Sequence, residues 1–559
     1  MSRVYRHPKS VDIPNIDLLT LLFDSELCAA QEDTPLHLSA TNPSIHLTKA
    51  SLRALVERIA FFLQSRFEVG AQGRNKDVVV VMTSGQPAAP AAFYGIIAAG
   101  GVFSAASPSF TPEELARQIK QGKGNVVVVS EDSKDVGIKA AKMCGISLKR
   151  VLVLTSEPEW GLKSLEGGVA LNWKTGDRLT WERVTDYEDL KKSLIVLLYS
   201  SGTTGVPKGV MLSHLNLVAE LYITSVKGRE WAAKEVAEGR ELPEYRTLAH
   251  LPVAHIAGLF GYFIAPFYSA GAVYWMRRFS WKPFLQHMKD LKITSFYTVP
   301  SIFLRIAKSA DVTDQFRTVQ TAITGAAPMD GELQQAVNAK LGTGDVRISQ
   351  TWGLSETTGA VTAMPRGDSD VTGSISPILP NMEMRIVDEG WHDVDAGQPG
   401  EVIVRGPLVT QGYYDNPAAT QETFHDDWFC TGDIAVDRGG KFYIVDRKKE
   451  LLKYKGLQIA PAEIEGLLDT HPAIQEAAIV GLPIEGGSEV PRAYIVADPG
   501  KISEDEVKEF VKSKLADYKQ IRGGVVYVDE LPKNAIGKIL RRDLRDRAKK
   551  EVGQVAAKL

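Results

Sequence analysis

The run Tyr199-Ser-Ser-Gly-Thr-Thr-Gly-Val-Pro-Lys-Gly209 joins flexible glycines, four Ser/Thr hydroxyls and one lysine in eleven residues. Such a loop can wrap its backbone amides and hydroxyls around an oxyanion. A β-rich run, Leu194-Ile-Val-Leu-Leu198, leads into it, and an apolar Val210-Met-Leu212 follows before Ser213-His-Leu-Asn216. The loop is therefore expected to join two strands, with the next helix capped near Ser213. A Walker A loop needs Gly-Lys-[Ser/Thr] opening a helix. Here Pro207 stands in the second glycine's place and Gly209 follows Lys208, so the kinase and GTPase classes are excluded.

Working outward, Val78 to Met82, Asn125 to Val129, Arg150 to Leu154 and Leu194 to Leu198 are short β-rich runs separated by helical segments such as the alanine-rich stretch around Phe93. This alternation predicts a parallel sheet covered by helices. Thr294 to Val299, Thr318 to Ile323 and Val346 to Ser349 predict a further layer. Between Gly373 and Tyr414 the helical period gives way to short strands, Met384 to Val387 and Glu401 to Val404, as in a β-barrel lobe. After Asp446-Arg-Lys-Lys-Glu450 come short strands and charged helices, Ala462 to Thr470 and Glu504 to Ala516. The expected organisation is a large α/β domain over 1–446 and a small α+β domain over 447–559. The charged segment Lys227 to Tyr245 reads as a solvated insertion.

With 559 residues, more than one folding unit is expected. A net charge of −3 supplies no global positive field for nucleic acid. Cys28, Cys144 and Cys430 have neither zinc-site spacing nor the density of a disulfide scaffold. The uncharged stretches Thr83 to Thr111 and Leu251 to Met276 approach a membrane span in length. Their prolines and glycines fit buried α/β core better, so no transmembrane segment is expected.

The loop resembles the phosphate loop of the adenylate-forming superfamily, which holds acyl-CoA and 4-coumarate:CoA ligases, firefly-type luciferases and peptide-synthetase adenylation domains. The family's other motifs follow in its order. Thr324-Gly-Ala-Ala-Pro-Met329 resembles the segment lying along adenine, which implicates Gly325, Ala326 and Ala327. Gln350-Thr-Trp-Gly-Leu-Ser-Glu356 resembles the family's Gln-Gly-Tyr-Gly-Met-Thr-Glu; Trp352 stands for the stacking tyrosine and Ser355 for the phosphate-side threonine, each keeping the needed chemistry. Trp428-Phe-Cys-Thr-Gly-Asp433 resembles the ribose motif. Asp446-Arg-Lys-Lys-Glu-Leu-Leu-Lys-Tyr-Lys-Gly-Leu-Gln-Ile-Ala-Pro-Ala-Glu-Ile-Glu465 resembles the hinge of 4-coumarate:CoA ligases and luciferases, and Leu531-Pro-Lys-Asn-Ala-Ile-Gly-Lys-Ile-Leu-Arg-Arg542 the final motif.

What the resemblance implies is an acid–CoA ligase using ATP, Mg²⁺ and coenzyme A, with the small domain mobile about Lys449. By resemblance, Ser200, Ser201, Gly202, Thr203, Thr204, Gly205 and Lys208 hold phosphate, and Gln350, Trp352, Ser355, Asp433 and Arg447 complete the ATP/AMP site. Glu356 is the metal ligand, Lys538 the adenylation lysine, and Lys453, Lys455, Gly456 and Gln458 the CoA side. The acid pocket begins at Leu251-Pro-Val-Ala-His-Ile-Ala-Gly-Leu-Phe-Gly-Tyr262, with His255 as gate, and adds Ala257, Gly261, Phe303, Gly353, Thr357, Thr358 and Ala360. The small Ala257 and Gly261 suggest a roomy pocket for an apolar aryl or medium-chain acyl acid.

Two anions, the acid and the α-phosphate, have to be brought together, which is why a lysine, a metal and loop donors are needed and no protein nucleophile is. A stand-alone adenylation enzyme loading a carrier protein and a luciferase-like oxygenase are the alternatives. No carrier-type Gly-x-x-Ser follows Arg542. A non-enzymatic binding module would have lost Lys538, Glu356 or Asp433. The ending Ala557-Lys558-Leu559 is one residue from the Ser-Lys-Leu peroxisomal address, so import into the peroxisomal matrix through its receptor is expected, with the cytoplasm as the other location.

Overall fold

Val78 to Val81 supply four β-branched side chains in succession, a run that suits a strand covered on both faces. In the computed structural model, which describes residues 3–200, 207–344, 346–454, 457–484, 488–534 and 537–556 (backbone alone from 552), Val78–Met82 is such a strand. Its side chains alternate between two cores. Val79 and Val81 pack with residues of the helices Lys49–Phe67 and Ala89–Ala98, while Val78, Val80 and Met82 pack with Leu115, Ile119, Ala140 and Ala141 of the helices Pro112–Gln121 and Lys134–Met143. Period-2 geometry alone produces this split.

The strand lies at the middle of a seven-stranded sheet. Val102–Ala106 and Val126–Ser130 flank it in parallel, and Leu194–Ser200 and Val151–Thr155 extend it in parallel on either side. Both edge strands, Lys208–Ser213 and Gly161–Ser164, run antiparallel. The glycine-rich run therefore connects neighbouring antiparallel strands, as its sequence predicts; Ser201, Gly202, Thr203, Thr204 and Gly205 lie outside the described residues.

Ser213 caps the following helix, His214–Ala237. Its Oγ accepts from Asn216 N at 3.2 Å, and Asn216 Oδ1 accepts from Ser213 N at 3.0 Å, a reciprocal cap. Here the structure corrects one expectation. The segment from Lys227 to Ala237 has no buried residue, as expected of a solvated stretch, but it is no insertion: it is the second half of this 24-residue helix. Its charges mask the helical period, because they lie beside Gly228 and Trp231 on a face that borders a cavity.

The predicted further layer is a separate three-stranded parallel sheet, Ser295–Thr298, Thr321–Thr324 and Ile348–Gln350, with its own core around Phe284, Phe296 and Phe316. The β-rich lobe is an antiparallel six-stranded sheet. It contains Glu383–Val387 and Gly400–Arg405 as expected, and also Tyr5–Arg6, Phe424–His425, Trp428–Arg438 and Lys441–Arg447, so it reaches well past Tyr414. After Arg447 the chain builds a distinct core from Leu452, Ile459, Ile464, Ile479 and Ile495 under the helices Pro461–Asp469 and Glu504–Lys514. No helix among the described residues is long and apolar enough to cross a membrane.

Val80→Ala removes two methyl groups from the central strand at a site with no exposed surface. The expected cost is about 2 kcal/mol, the transfer loss plus the cavity left. It is checked as a drop in the midpoint of thermal unfolding.

Candidate active site

One cavity of about 1660 Å³ gathers most of those residues singled out from the sequence that the structure describes, and its walls come from both sides of Arg447. Ser200, Lys208, His255, Ala257, Gly261, Gly325, Ala326, Gln350, Gly353, Ser355, Glu356, Ala360, Arg447, Lys449 and Lys538 all line it.

At one wall, Glu356 is held by two hydroxyls. Ser200 Oγ donates to its Oε1 at 2.8 Å and Tyr413 OH to the same oxygen at 3.0 Å. The carboxylate sits on a tight hairpin, Trp352–Leu354 and Gly359–Thr362, in which a Cβ on Gly353 would lie 1.6 Å from Gly359 O. Only glycine permits that approach. No cluster of three metal-ligating side chains exists among the described residues. A single carboxylate with hydroxyl support, beside a phosphate loop, is the sparse donor set that suits Mg²⁺ held jointly with substrate phosphates, and Glu356 would hold it. Tyr413 was missed in the sequence because it belongs to no motif; an isolated antiparallel bridge between Val210 and Tyr413 brings it there.

Asp433 is the second fixed point. It faces Arg447 across antiparallel strands, and Arg447 Nε meets its Oδ1 at 2.6 Å. Trp352 Nε1 donates to its Oδ2 at 2.9 Å. The tryptophan in the usual tyrosine's place thus anchors the aspartate through an indole N–H. Neither Trp352 nor Asp433 lines the open cavity; the indole ring packs among Val361, Ile375 and Ile378 instead. Gln350 clamps the 324–329 segment, its Oε1 accepting from Met329 N at 3.2 Å and its Nε2 donating to Met329 O at 2.7 Å. Ala327 is exposed and off the cavity wall.

Lys538 enters from the far end of the chain. Its turn is built by Asn534, whose Oδ1 accepts from Lys538 N at 2.9 Å, and by Gly537 at φ +76°, which sits against Ser301. Burial, with Arg447 and Lys449 nearby, brings its ammonium down to about 8, and Asp433 opposes that shift. His255 is pushed down to about 4 by burial and by the Lys538 cation, so it is a neutral imidazole at neutral pH. Its Nδ1 accepts from Ala257 N at 3.2 Å, which starts the short helix Ile256–Leu259. Lys449, exposed at the cavity rim, is lowered by partial desolvation, and Glu450 opposes that shift.

Four expectations for the acid pocket are corrected. Phe303 is fully buried in the core against Phe296, at 5.4 Å between ring centroids, because the helix Pro300–Lys308 turns that face to the sheet. Thr357 and Thr358 spend their hydroxyls on backbone carbonyls: Thr357 on Leu354 at 3.1 Å and Gly359 at 3.0 Å, Thr358 on Leu408 at 2.6 Å. Both staple the hairpin and neither lines the cavity. Gly261 adds no room, since the Tyr297 ring occupies the space, its hydroxyl 2.5 Å from where a Cβ would be, and Tyr297 OH donates to Ala257 O at 2.6 Å.

Lys453 and Gln458 pair across the hairpin Leu452–Tyr454 and Leu457–Ile459, are exposed, and lie away from the cavity. Lys455 and Gly456 lie outside the described residues. The cavity continues along the helix His214–Ala237, past Glu220 and Thr224 to Trp231, over which Arg366 stacks at 3.9 Å. This wall was missed. A lone Glu220 amid Leu215, Leu217, Val218, Leu221 and Ile223 was the available signal.

Residues 27–414 match the family model for AMP-binding enzymes, and 463–538 the model for the AMP-binding enzyme C-terminal domain. The chain is 48% identical over 557 residues, 99% of each chain, to a protein of Emericella nidulans named "Putative acyl-coenzyme A synthetase". It is 33% identical to a phenylacetyl-CoA ligase of Aspergillus niger, covering 96% of this chain and 98% of that one. It is 34% identical to 4-coumarate–CoA ligase 2 of Nicotiana tabacum, covering 84% of both. Among solved structures, ATP-bound MatB from Rhodopseudomonas palustris superposes with a TM-score of 0.79 at 26% identity, covering 95% of this chain and 99% of that one. The chain belongs to the AMP-binding enzyme family, as an AMP-forming acid–CoA ligase.

Proposed function

We propose that this ligase activates an apolar aryl or medium-chain acyl acid, in two steps divided between two arrangements of the residues before and after a hinge at 446–449. The observation that carries the two-step reading is Lys538, half-buried on the cavity wall within the electrostatic reach of Asp433 and Arg447 on the nucleotide side and of His255 on the acid side. In the first step a carboxylate oxygen attacks the α-phosphorus of ATP and pyrophosphate leaves. Lys538 offers its cation to the oxygens that crowd together there, and Asp433 with Arg447 holds the ribose side. Glu356 would hold Mg²⁺, which offsets charge on the phosphates when bound. Ser200 and Tyr413 keep that carboxylate oriented.

In the second step the CoA thiolate attacks the adenylate carbonyl carbon and AMP leaves. Lys538 occupies the approach, so the segment after Lys449 has to swing, taking Lys538 out and bringing Lys453 and Gln458 in. Their exposed position off the cavity supports this assignment. An apolar acid is favoured by Ile256, Phe260, Ala257 and Tyr297 on the cavity wall, and the names phenylacetyl-CoA ligase and 4-coumarate–CoA ligase of two relatives support an aryl one. We further propose that Ala557-Lys558-Leu559 directs the protein to the peroxisomal matrix through the import receptor; these residues lie outside those the structure describes.

ATP-, Mg²⁺- and CoA-dependent AMP formation is expected with members of a panel of medium-chain fatty, phenylacetic and cinnamic acids. Turnover of none of them, with no pyrophosphate exchange into ATP, would defeat the substrate assignment. Adenylation needs Lys538 charged, and a lysine loses its charge as pH rises through its pKa. The kcat/KM for pyrophosphate exchange is therefore expected to fall above about pH 8, and Lys538→Ala to abolish exchange while CoA still accepts the acyl group of a supplied acyl-adenylate. Equal loss of both half-reactions would contradict the division of labour. A tag covering Leu559 is expected to leave the protein in the cytosol, by fluorescence microscopy, and unchanged import would refute the address.

A further inference from the structure

Glu220 lies inside a helix whose neighbouring residues are apolar, and only 1% of it is exposed. A buried carboxyl group in such a place is costly unless both oxygens are engaged. One of them is: Oε1 accepts from Ala360 N at 2.8 Å. The other, Oε2, is buried with no hydrogen-bond partner among the described residues. The backbone opposite is built for this approach. Gly359 adopts φ +134°, and a Cβ there would sit 2.7 Å from Oε1. Leucine would fill the same volume with no unmet oxygen, so packing does not explain the residue.

Glu220 borders the cavity, as do Gly359 and Ala360, three and four residues beyond Glu356. Because Glu220 lines that cavity, a bound acid is a source from which Oε2 can gain its partner. Thr224, Gly228 and Trp231 follow on the same helical face, carrying the wall about 16 Å farther at 1.5 Å per residue.

We propose that Glu220 hydrogen-bonds an oxygen substituent, a hydroxyl or a carbonyl, on the acyl portion of the acid, so that this ligase selects oxygenated aryl or acyl acids over their hydrocarbon counterparts. The proposal rests on the acid–CoA ligase reading and narrows its substrate class. Burial raises the Glu220 pKa well above the ordinary carboxyl range, which favours the protonated form, with an O–H to donate and a carbonyl oxygen to accept. A site built to hydrogen-bond a substrate group discriminates strongly against the analogue that lacks it.

The test compares kcat/KM for 3-phenylpropanoic acid with its three ring-hydroxylated isomers, and for octanoic acid with its 7-oxo and 8-hydroxy derivatives. The wild-type enzyme is expected to favour at least one oxygenated member over its parent by about tenfold or more. Glu220→Leu should bring that ratio near one, and Glu220→Gln, whose amide keeps both an acceptor for Ala360 and a donor, should retain part of it. Equal treatment of each set by the wild type overturns the proposal, and so does a proportional loss for parent and derivative in Glu220→Leu, the mark of a residue that only supports the Ala360 strand. If the leucine variant does not fold, the wild-type ratios and the glutamine variant decide. AMP formation with none of the acids, parents included, is a different failure, that of the apolar aryl or medium-chain acyl assignment on which the proposal rests.

Discussion

The Asp433 carboxylate, 4% exposed and gripped by Arg447 and Trp352, is the constraint on which the rest of the site depends. A buried carboxylate persists only where charge and hydrogen bonds compensate it. Arg447 does so from the last residue of the strand Lys441–Arg447, so the pair also fixes where the chain leaves the β-rich sheet. Two residues on, Lys449 reaches the cavity. Glu450 pairs with Arg545, which ties the helix Arg541–Ala556 to the segment just after that exit, and Arg541 pairs with Glu465 of the helix Pro461–Asp469. Lys538 lies three residues before that helix, within the field of Arg447 and Asp433 together. One ion pair thus fixes where the chain leaves the β-rich sheet and adds its two opposed charges to the desolvation that lowers the Lys538 pKa.

The sheet, the two strands flanking the glycine-rich run and the helix start after them were legible because each rests on a local rule. Four consecutive valines specify a doubly covered strand wherever they occur, and Ser213 with Asn216 specifies a helix start. The motifs carrying Glu356, Asp433, Arg447 and Lys538 were equally plain, since their chemistry is tied to short spacings. Pocket lining is not a local property. Phe303, Thr357 and Thr358 stand within a few residues of lining positions, yet a turn of helix or a staple to a carbonyl sends each away from the cavity. Gly261 shows the same limit from the other side, because the space it leaves is filled by Tyr297 from a strand 36 residues later.

Charge pattern misled where a helix serves two environments. Between Lys227 and Ala237 the sequence carries too many ions for an amphipathic core helix, and the apolar period is lost. Several of those ions are paired along the helix surface, Lys227 with Glu230 and Glu235 with Arg240, while Trp231 points its ring at Arg366 on the cavity wall. A helix bordering a cavity has no reason to show a continuous apolar stripe there.

The cavity is therefore chemically divided. Its nucleotide end is made from residues of the hairpin, the β-rich sheet and the chain after Arg447, all locked by ion pairs and hydroxyl bonds to a single carboxylate or another. The wall proposed for the acyl portion is one face of the helix His214–Ala237, fixed at its start by the Ser213 cap. Substitutions on that face alter what lies beside the acid without touching Asp433, Glu356 or Lys538. With Glu220 in the role proposed for it, the demands of bringing two anions together are met at one end of the cavity and selection along a helix that takes no part in it.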